Sequence, residues 1–519
     1  MSFGPLRLAI LGLATALVLI LAPNVYPQTP LTSSPIVAAI EARANTTSTQ
    51  RDLMRGFYAA RADTPAWTSG GGLTADGTFA LGVLRSAGDE GIDPRRYGID
   101  ELSRPSAADD ASRAAKDVSV TVALLRYASD MLNGRPDLRA LERDVDLPQD
   151  NRDIATGLAK ALADHQLYEF FRALEPSTLE YATLKTALAK YRKVDAAGGW
   201  GVIPAQKPFH ATGASPELLD SLKLRLSYED DALDPARPPS ADEVDAAIQR
   251  FQRRNGLDAD GQVGAKTLEL LNTPASERAM EIAANMERLR WLPHAPERQR
   301  VVVNVPDARL VIVDGDKEVL SSAVIVGKPS TPTPIFRAEI TQVVANPPWN
   351  VPAPIARGEI LPREARDPGY LARHNMVIVD GQMRQLPGAR NALGELKIDL
   401  DDRFSVYLHD TPSRNLFDRR QRFLSHGCVR VAEIYPLASY ALTGDTTSGI
   451  ARLVEAVATS GTLHLPVKDH VPVYLVYATV FPSPDGLQFR TDIYGRDRRM
   501  IAAMTAHTQF AAADCPTGG

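Results

Sequence analysis

At 519 residues, 44% hydrophobic and 23% charged, the chain has an ordinary globular composition, which excludes a disordered or fibrous protein. Lys plus Arg number 58 and Asp plus Glu 63, a formal net charge of −5, so the basic excess of a nucleic-acid binder is missing. Two cysteines cannot build a disulfide framework, and about 150 residues per domain gives a prior of about three domains.

In chain order, Arg7 is followed by an apolar run, Leu8 to Ala22, and then Pro23. A run of this length is short for a membrane span and suits the h-region of a secretory signal. No clean A-x-A cleavage site follows, so residues 1–28 read as a signal peptide or as a retained N-terminal membrane anchor. Either reading places the rest of the chain outside the cytoplasm. Residues 29–50, rich in Thr, Ser, Ala and Pro, read as a linker. From 51 to 200 the period is helical: Ile154, Leu158 and Leu162 make one apolar face, as do Tyr181, Leu184, Leu188 and Tyr191. Asn133-Gly134-Arg135-Pro136 is a helix stop and turn within this all-helical domain.

A compact unit follows, within residues 215–275. Ala241 to Arg254 carries Val244, Ala247, Ile248 and Phe251 on one face, Asn255-Gly256 caps it, and Ala265 to Leu271 is a last short helix. A further helix runs from Glu277 to Arg290. The period then changes. Val301–Val305 and Arg309–Val313 are β-branched runs, Asp314-Gly315 is a hairpin signal and Val319–Val326 the return strand. Residues 298–500 therefore read as a mainly β domain of sandwich-like build, with 353–390, rich in Pro and Arg, as a lid-like insertion and 501–519 as a tail. Ser405–His409 reads as a strand, Glu433–Leu442 as a helix, and Val471–Phe481 with Leu487–Thr491 as a late hairpin.

The densest chemistry lies between 405 and 430. Ser405, Tyr407 and His409 alternate to one face of their strand, and His409 stands at its end, rigid on one side and open on the other. Cys428 follows Gly427 and precedes a helical stretch, so a thiolate stabilised by the helix N-terminus and nearby imidazoles is expected. Gly427 permits a tight turn, and amides at 426–428 are placed to meet an oxyanion. His409 would take the thiol proton and return it to a leaving amine, with a bell-shaped pH profile if the two titrate as a pair. Residue types alone leave two other readings open: Cys428 as a buried small hydrophobe, and His409, His426 and Cys428 as zinc ligands. The arginines at 414, 419, 420 and 422 read equally as carboxylate steering and as a solvated basic loop.

His409 and, sixteen residues later, Ser425-His426-Gly427-Cys428 with Arg430 resemble the YkuD-type L,D-transpeptidase motif. Tyr407-Leu-His-Asp-Thr-Pro-Ser413, Asn346-Pro-Pro-Trp-Asn-Val-Pro352, Asn285-Met-Glu-Arg-Leu-Arg-Trp-Leu-Pro293 and Asp492-Ile-Tyr-Gly-Arg-Asp497 are similar to the large, YcbB-like branch, in which a helical scaffold precedes the catalytic domain. Residues 248–268 resemble the small three-helix peptidoglycan-binding domain, whose plainer reading is a helical spacer. The resemblance implies a multidomain α+β protein of the cell wall, periplasmic and free of metal or organic cofactor. It implies that Cys428 attacks a stem tetrapeptide, that His409 is the base, oriented by the Asp410 carbonyl, and that amides near Gly427 and Cys428 hold the oxyanion. His426 would support the turn or bind substrate. Arg430 would order the loop or meet a substrate carboxylate, with Ser425 and Tyr407 beside it, and Trp349 and Asn350 would line the donor groove. A 3→3 cross-link with release of D-Ala would result, and carbapenems would acylate the thiol. The implied partners are donor and acceptor stem peptides and other wall-synthesis proteins. An L,D-carboxypeptidase, an enzyme attaching proteins to the wall and a non-catalytic wall-binding protein remain as alternatives.

Overall fold

Helix starts are written locally in the sequence. The computed structural model describes residues 34–513 apart from 44, 45, 71, 106, 108, 206, 231, 235 and 239; the run Leu8–Ala22 and Cys515 lie outside the described residues. Ser34 caps α1 (Pro35–Glu41) with Pro at its first turn, and Thr47 with Gln50 forms a capping box on α2 (Ser48–Ala59). Residues 35–41 and 48–50, within the expected linker at 29–50, are thus helical. Ile36 and Ile40 are buried against α3 (Asp110–Asn133), each burial worth roughly 1.5–3 kcal/mol. Asp117 on α3 accepts from the amides of Ala66, Trp67 and Thr68 and from the Tyr58 hydroxyl, which fixes the preceding turn on the helix.

The region is not wholly helical. After α3, Gly134 turns the chain at φ +69°, where an added Cβ would stand 2.3 Å from the Trp291 ring, so only glycine fits. The chain then extends, and Val145–Asp146 pairs in parallel with Ile335–Phe336 of the β domain. The helical region thus lends an edge strand to the next domain. α4 (Leu179–Ala196), capped by Thr178, packs its Tyr181, Leu184, Leu188 and Tyr191 face against α6 (Ala275–Leu289). Between them in sequence lies α5 (Ala241–Arg254), whose Val244, Ala247, Ile248 and Phe251 belong to a separate small core with Leu222, Leu226, Val263 and Leu271.

The β domain is built from β1 (Gln299–Asn304), β2 (Arg309–Asp314), β3 (Lys317–Gly327), β4 (Ile335–Ala345), β5 (Leu396–Leu400), β6 (Tyr407–His409), β7 (Phe423–Ser425), β8 (Val429–Val431) and β9 (Leu463–Val476). The order runs β5-β6-β8-β3-β2-β1-β9-β4, and β4 pairs again with β5. The pairing therefore closes on itself through β4 within the mainly β domain. The cause is β4: Val343 pairs with Leu465 on one side and Ile398 on the other, and bulges in β5 and β9 bend the partners around it. α7 (Ile434–Thr443) packs Leu437 and Ala438 against β4, β5 and β9. The expected late hairpin is divided: residues 471–476 continue β9, and Val480–Ser483 pairs with Gly486–Phe489. α8 (Arg496–Ala513) runs through most of the expected tail, burying Met500 and Met504. The insertion 353–390 has a small core of its own, with Val351, Ala356, Ile360, Met376 and Met383.

The helical region and the β domain share one continuous apolar core. Buried charge fastens the junction. Glu287 takes the Arg135 guanidinium at 3.1 Å, Arg290 at 2.7 Å and the Trp291 indole N–H at 3.3 Å. Burial alone would raise the Glu287 carboxyl, but Arg135 and Arg290 outweigh it and hold it below the usual carboxylate range. Replacing Glu287 with leucine leaves two buried guanidinium groups without it. The expected loss is about 3–5 kcal/mol, read as a lower midpoint in urea by near-UV circular dichroism. An unchanged midpoint would show that the junction does not depend on this carboxylate.

Candidate active site

Parallel pairing of β6 with β8 sets Leu408 opposite Val429 and His409 opposite Arg430. Leu408, Val429 and Val431 are buried in the core. Tyr407, His409 and Arg430 therefore share the opposite face, and Cys428 joins them one step before β8. Tyr407 stands beside the Cys428 sulfur, where its backbone and phenol both favour the ionised thiol, and Trp349 lies next to the phenol. The thiol lies 4.0 Å from the Ser405 carbonyl oxygen. Ser405 itself has φ +57°, a left-handed conformation rare for serine, so the strand begins at Tyr407 rather than Ser405. Asp402 makes this turn by accepting from the amides of Phe404 at 2.7 Å and Val406 at 3.1 Å.

His409 is buried, and its Nδ1 stands 2.5 Å from the Asp410 carbonyl oxygen. That bond puts the proton of the neutral ring on Nδ1 and leaves Nε2 as the acceptor. Asp410 is itself pinned: Oδ2 accepts from the Glu395 amide at 3.0 Å and Oδ1 meets Arg414 at 3.0 Å. Burial, reinforced by Arg430, pushes the imidazole pKa down to about 3. Burial also pushes the Cys428 thiol up. This corrects the expected low-pKa thiolate. β8 intervenes between Cys428 and Ile434, the first residue of α7, so the helix end does not reach the sulfur. Thiol and imidazole are both neutral through the middle of the pH scale, and a bell centred on their joint titration is not expected.

The turn is held from both sides. Ser425 Oγ donates to the Cys428 carbonyl at 2.5 Å and accepts from the Gly427 amide at 3.1 Å. Gly427, at φ +116°, gives its carbonyl to Thr333 Oγ1 at 2.8 Å, and Tyr494 in turn holds the Gly327–Thr333 segment. The Gly427 amide is thus already used, which removes it from the expected oxyanion donors. The Cys428 amide makes no hydrogen bond among the described residues. Arg430 makes no ion pair among them, and its Nε is buried without an acceptor. His426 points away from this cluster: its Nε2 is 2.7 Å from Glu359 of the insertion and 3.3 Å from Lys328. Glu359 sits on a π-turn, Ala356–Ile360, and its hydrogen bond to His426 lowers its pKa. Asn350 also leaves the cluster, accepting from Arg384 at 2.9 Å, while Trp349 stays with Tyr407. His409, His426 and Cys428 do not converge: among the described residues no three His, Cys, Asp or Glu side chains are grouped to share an ion.

The sequence reading missed Asp402, the turn at Ser405, Lys328 and Glu359. The Asp401-Asp402-Arg403-Phe404-Ser405 run held a turn signal for the first two. Lys328 and Glu359 carried none, because nothing local brings the insertion to the Cys428 loop.

Residues 298–454 match the L,D-transpeptidase catalytic domain, residues 52–188 the scaffold domain and residues 225–271 a family described as "Putative peptidoglycan binding domain". The chain carries an L,D-transpeptidase catalytic domain. A Haemophilus influenzae protein described as "Putative L,D-transpeptidase" is 35% identical over 252 residues, which are 44% of this chain and 50% of that protein. The chain therefore spans about half the length of the curated relative it matches. Solved structures with some likeness include an L,D-transpeptidase mutant of Enterococcus faecium, at 14% identity and a TM-score of 0.19, covering 36% of this chain and 52% of that one. An L,D-transpeptidase of Stackebrandtia nassauensis has 14% identity and a TM-score of 0.19, covering 53% and 96%.

In this L,D-transpeptidase domain the sulfur meets Tyr407 and Ser405 while protonated, so alkylation must wait for ionisation. Iodoacetamide should label Cys428 at a rate that climbs about tenfold per pH unit from 6 to 9 with no plateau. A plateau below pH 8, followed by peptide mapping, would show a thiolate already formed and contradict the neutral thiol.

Proposed function

We propose that the chain joins peptidoglycan stem peptides through 3→3 cross-links, with Cys428 as nucleophile and His409 as base. The supporting observation is the shared face of β6 and β8: an acceptor nitrogen, a thiol and an unpaired guanidinium stand side by side on rigid strands. The Cys428 proton passes to His409 Nε2 as sulfur attacks the carbonyl of the third stem residue. The C–N bond to the terminal D-Ala breaks, and His409 returns the proton to the leaving amine. The amine of a second stem peptide then attacks the thioester, its proton going to His409 and the thiol re-forming. The Cys428 amide serves the oxyanion, and Arg430 serves a substrate carboxylate. Ser425 and Gly427 act by holding the turn, and His426 by joining it to Glu359. Trp349 lines the entrance beneath the insertion, with Asn350 at its rim.

The peptidoglycan-binding unit fits this substrate, and such a substrate lies outside the cytoplasm. An N-terminal export signal or anchor at Leu8–Ala22 would take the chain there. The experiment is product analysis by mass spectrometry after incubation with disaccharide-tetrapeptide. The intact chain should give a 3→3 dimer and free D-Ala, and Cys428→Ala neither. Tripeptide without dimer would make the enzyme an L,D-carboxypeptidase. Unaltered substrate with both chains would overturn the catalytic reading in favour of wall binding alone.

A further inference from the structure

A cleft of about 980 Å³ lies on the helical region, between the short helix Leu167–Arg172 and residues 292–295, which lead toward β1. No residue of the Cys428 loop or of the insertion lines it. Its size is that of clefts that hold small organic ligands, and it sits at a domain junction, where such clefts concentrate.

Three features of the wall indicate the chemistry of a ligand. Tyr168 leaves 60% of its surface open, while Leu167 and Phe171 anchor the same helix in the core. A flat apolar ring with a polar tip is thereby presented at the cleft by an anchored helix. The polar lining is mixed in sign. Arg152 is balanced by Asp150 at 2.8 Å, and Glu169 and Arg172, neither in an ion pair among the described residues, offset each other. A cleft so balanced favours an uncharged ligand rich in donors and acceptors. Finally, His294 is half-buried, and its two ring nitrogens, both closed off from water, have no side-chain partner among the described residues. Buried polar atoms are nearly always partnered, so this wall is incomplete as it stands. Burial and Arg152 keep the imidazole neutral, with a pKa of about 4, so it offers one donor and one acceptor.

A pyranose has an apolar face of C–H groups and a rim of hydroxyls and amides, each both donor and acceptor. We propose that this cleft binds an uncharged saccharide, the glycan strand that carries the stem peptides. The choice of that polymer rests on the function proposed above. The cleft would hold the strand while Cys428 works on a peptide hanging from it.

The test is calorimetric titration of the full chain with tetra-N-acetylchitotetraose. Saturable binding is expected, weakened at least tenfold by Tyr168→Ala and by no more than twofold by Tyr168→Phe. Absence of binding would overturn the proposal. So would binding that Tyr168→Ala leaves intact, which would place the sugar on the 225–271 unit instead. Cross-linking of free tetrapeptide by the unaltered chain reads the cysteine chemistry separately. A chain that cross-links free peptides but binds no glycan refutes the cleft alone. One that binds glycan through Tyr168 yet makes no cross-link refutes the cysteine reading alone.

Discussion

Pairing Leu408 with Val429 in parallel register puts Leu408 of one strand and Val429 and Val431 of the other into the core, and the alternate residues on the outer face. A slip of one residue would bury the polar set and expose the apolar one, so the core itself fixes where His409 and Cys428 stand. Everything else at the site is support for that register. Asp410 turns the imidazole, Ser425 closes the loop on which the thiol sits, and Thr333 with Tyr494 holds that loop from beneath. The helical region contributes at one remove: Val145–Asp146 extends β4 at its Ile335 end, and buried charge at Glu287 ties the two regions together.

Burial has a chemical consequence. It drives the thiol up and the imidazole down, so the resting site holds two neutral groups rather than an ion pair. On the function proposed above, the proton would move only when substrate arrives and charge develops on the carbonyl oxygen. Arg430, half-buried and without an ion-pair partner among the described residues, is the one positive group of β8 available to that charge. Keeping the sulfur protonated also shields it from adventitious alkylation and oxidation, which track thiolate character.

Much of this was legible in the sequence wherever the information is local. The face periodicity of α4 and α5, the Gly134 stop, the β1–β2–β3 meander and the Ser425–Arg430 motif were all readable, because caps, periods and turn residues act within a few positions. The family matches agree with the resemblance those motifs carried. What escaped depends on distant pairing. Closure of the sheet through β4 and β5, the strand lent by Val145–Asp146 and the meeting of Glu359 with His426 join segments far apart in the chain. The helix-dipole argument for Cys428 failed for a similar reason: the pairing that makes Val429–Val431 a strand between the sulfur and the helix comes from distant segments. Ile36 and Ile40 were overlooked because seven residues are too few to show a period.

The central claim is that Cys428 carries the acyl group. The most direct measurement is the intact mass of the protein, quenched in acid within seconds of mixing with tetrapeptide and no acceptor, followed by mapping of the modified peptide. The account requires a mass gain equal to the stem tripeptide acyl group, located on Cys428. Turnover to product with no such adduct at any time point, or an adduct on another residue, would contradict it.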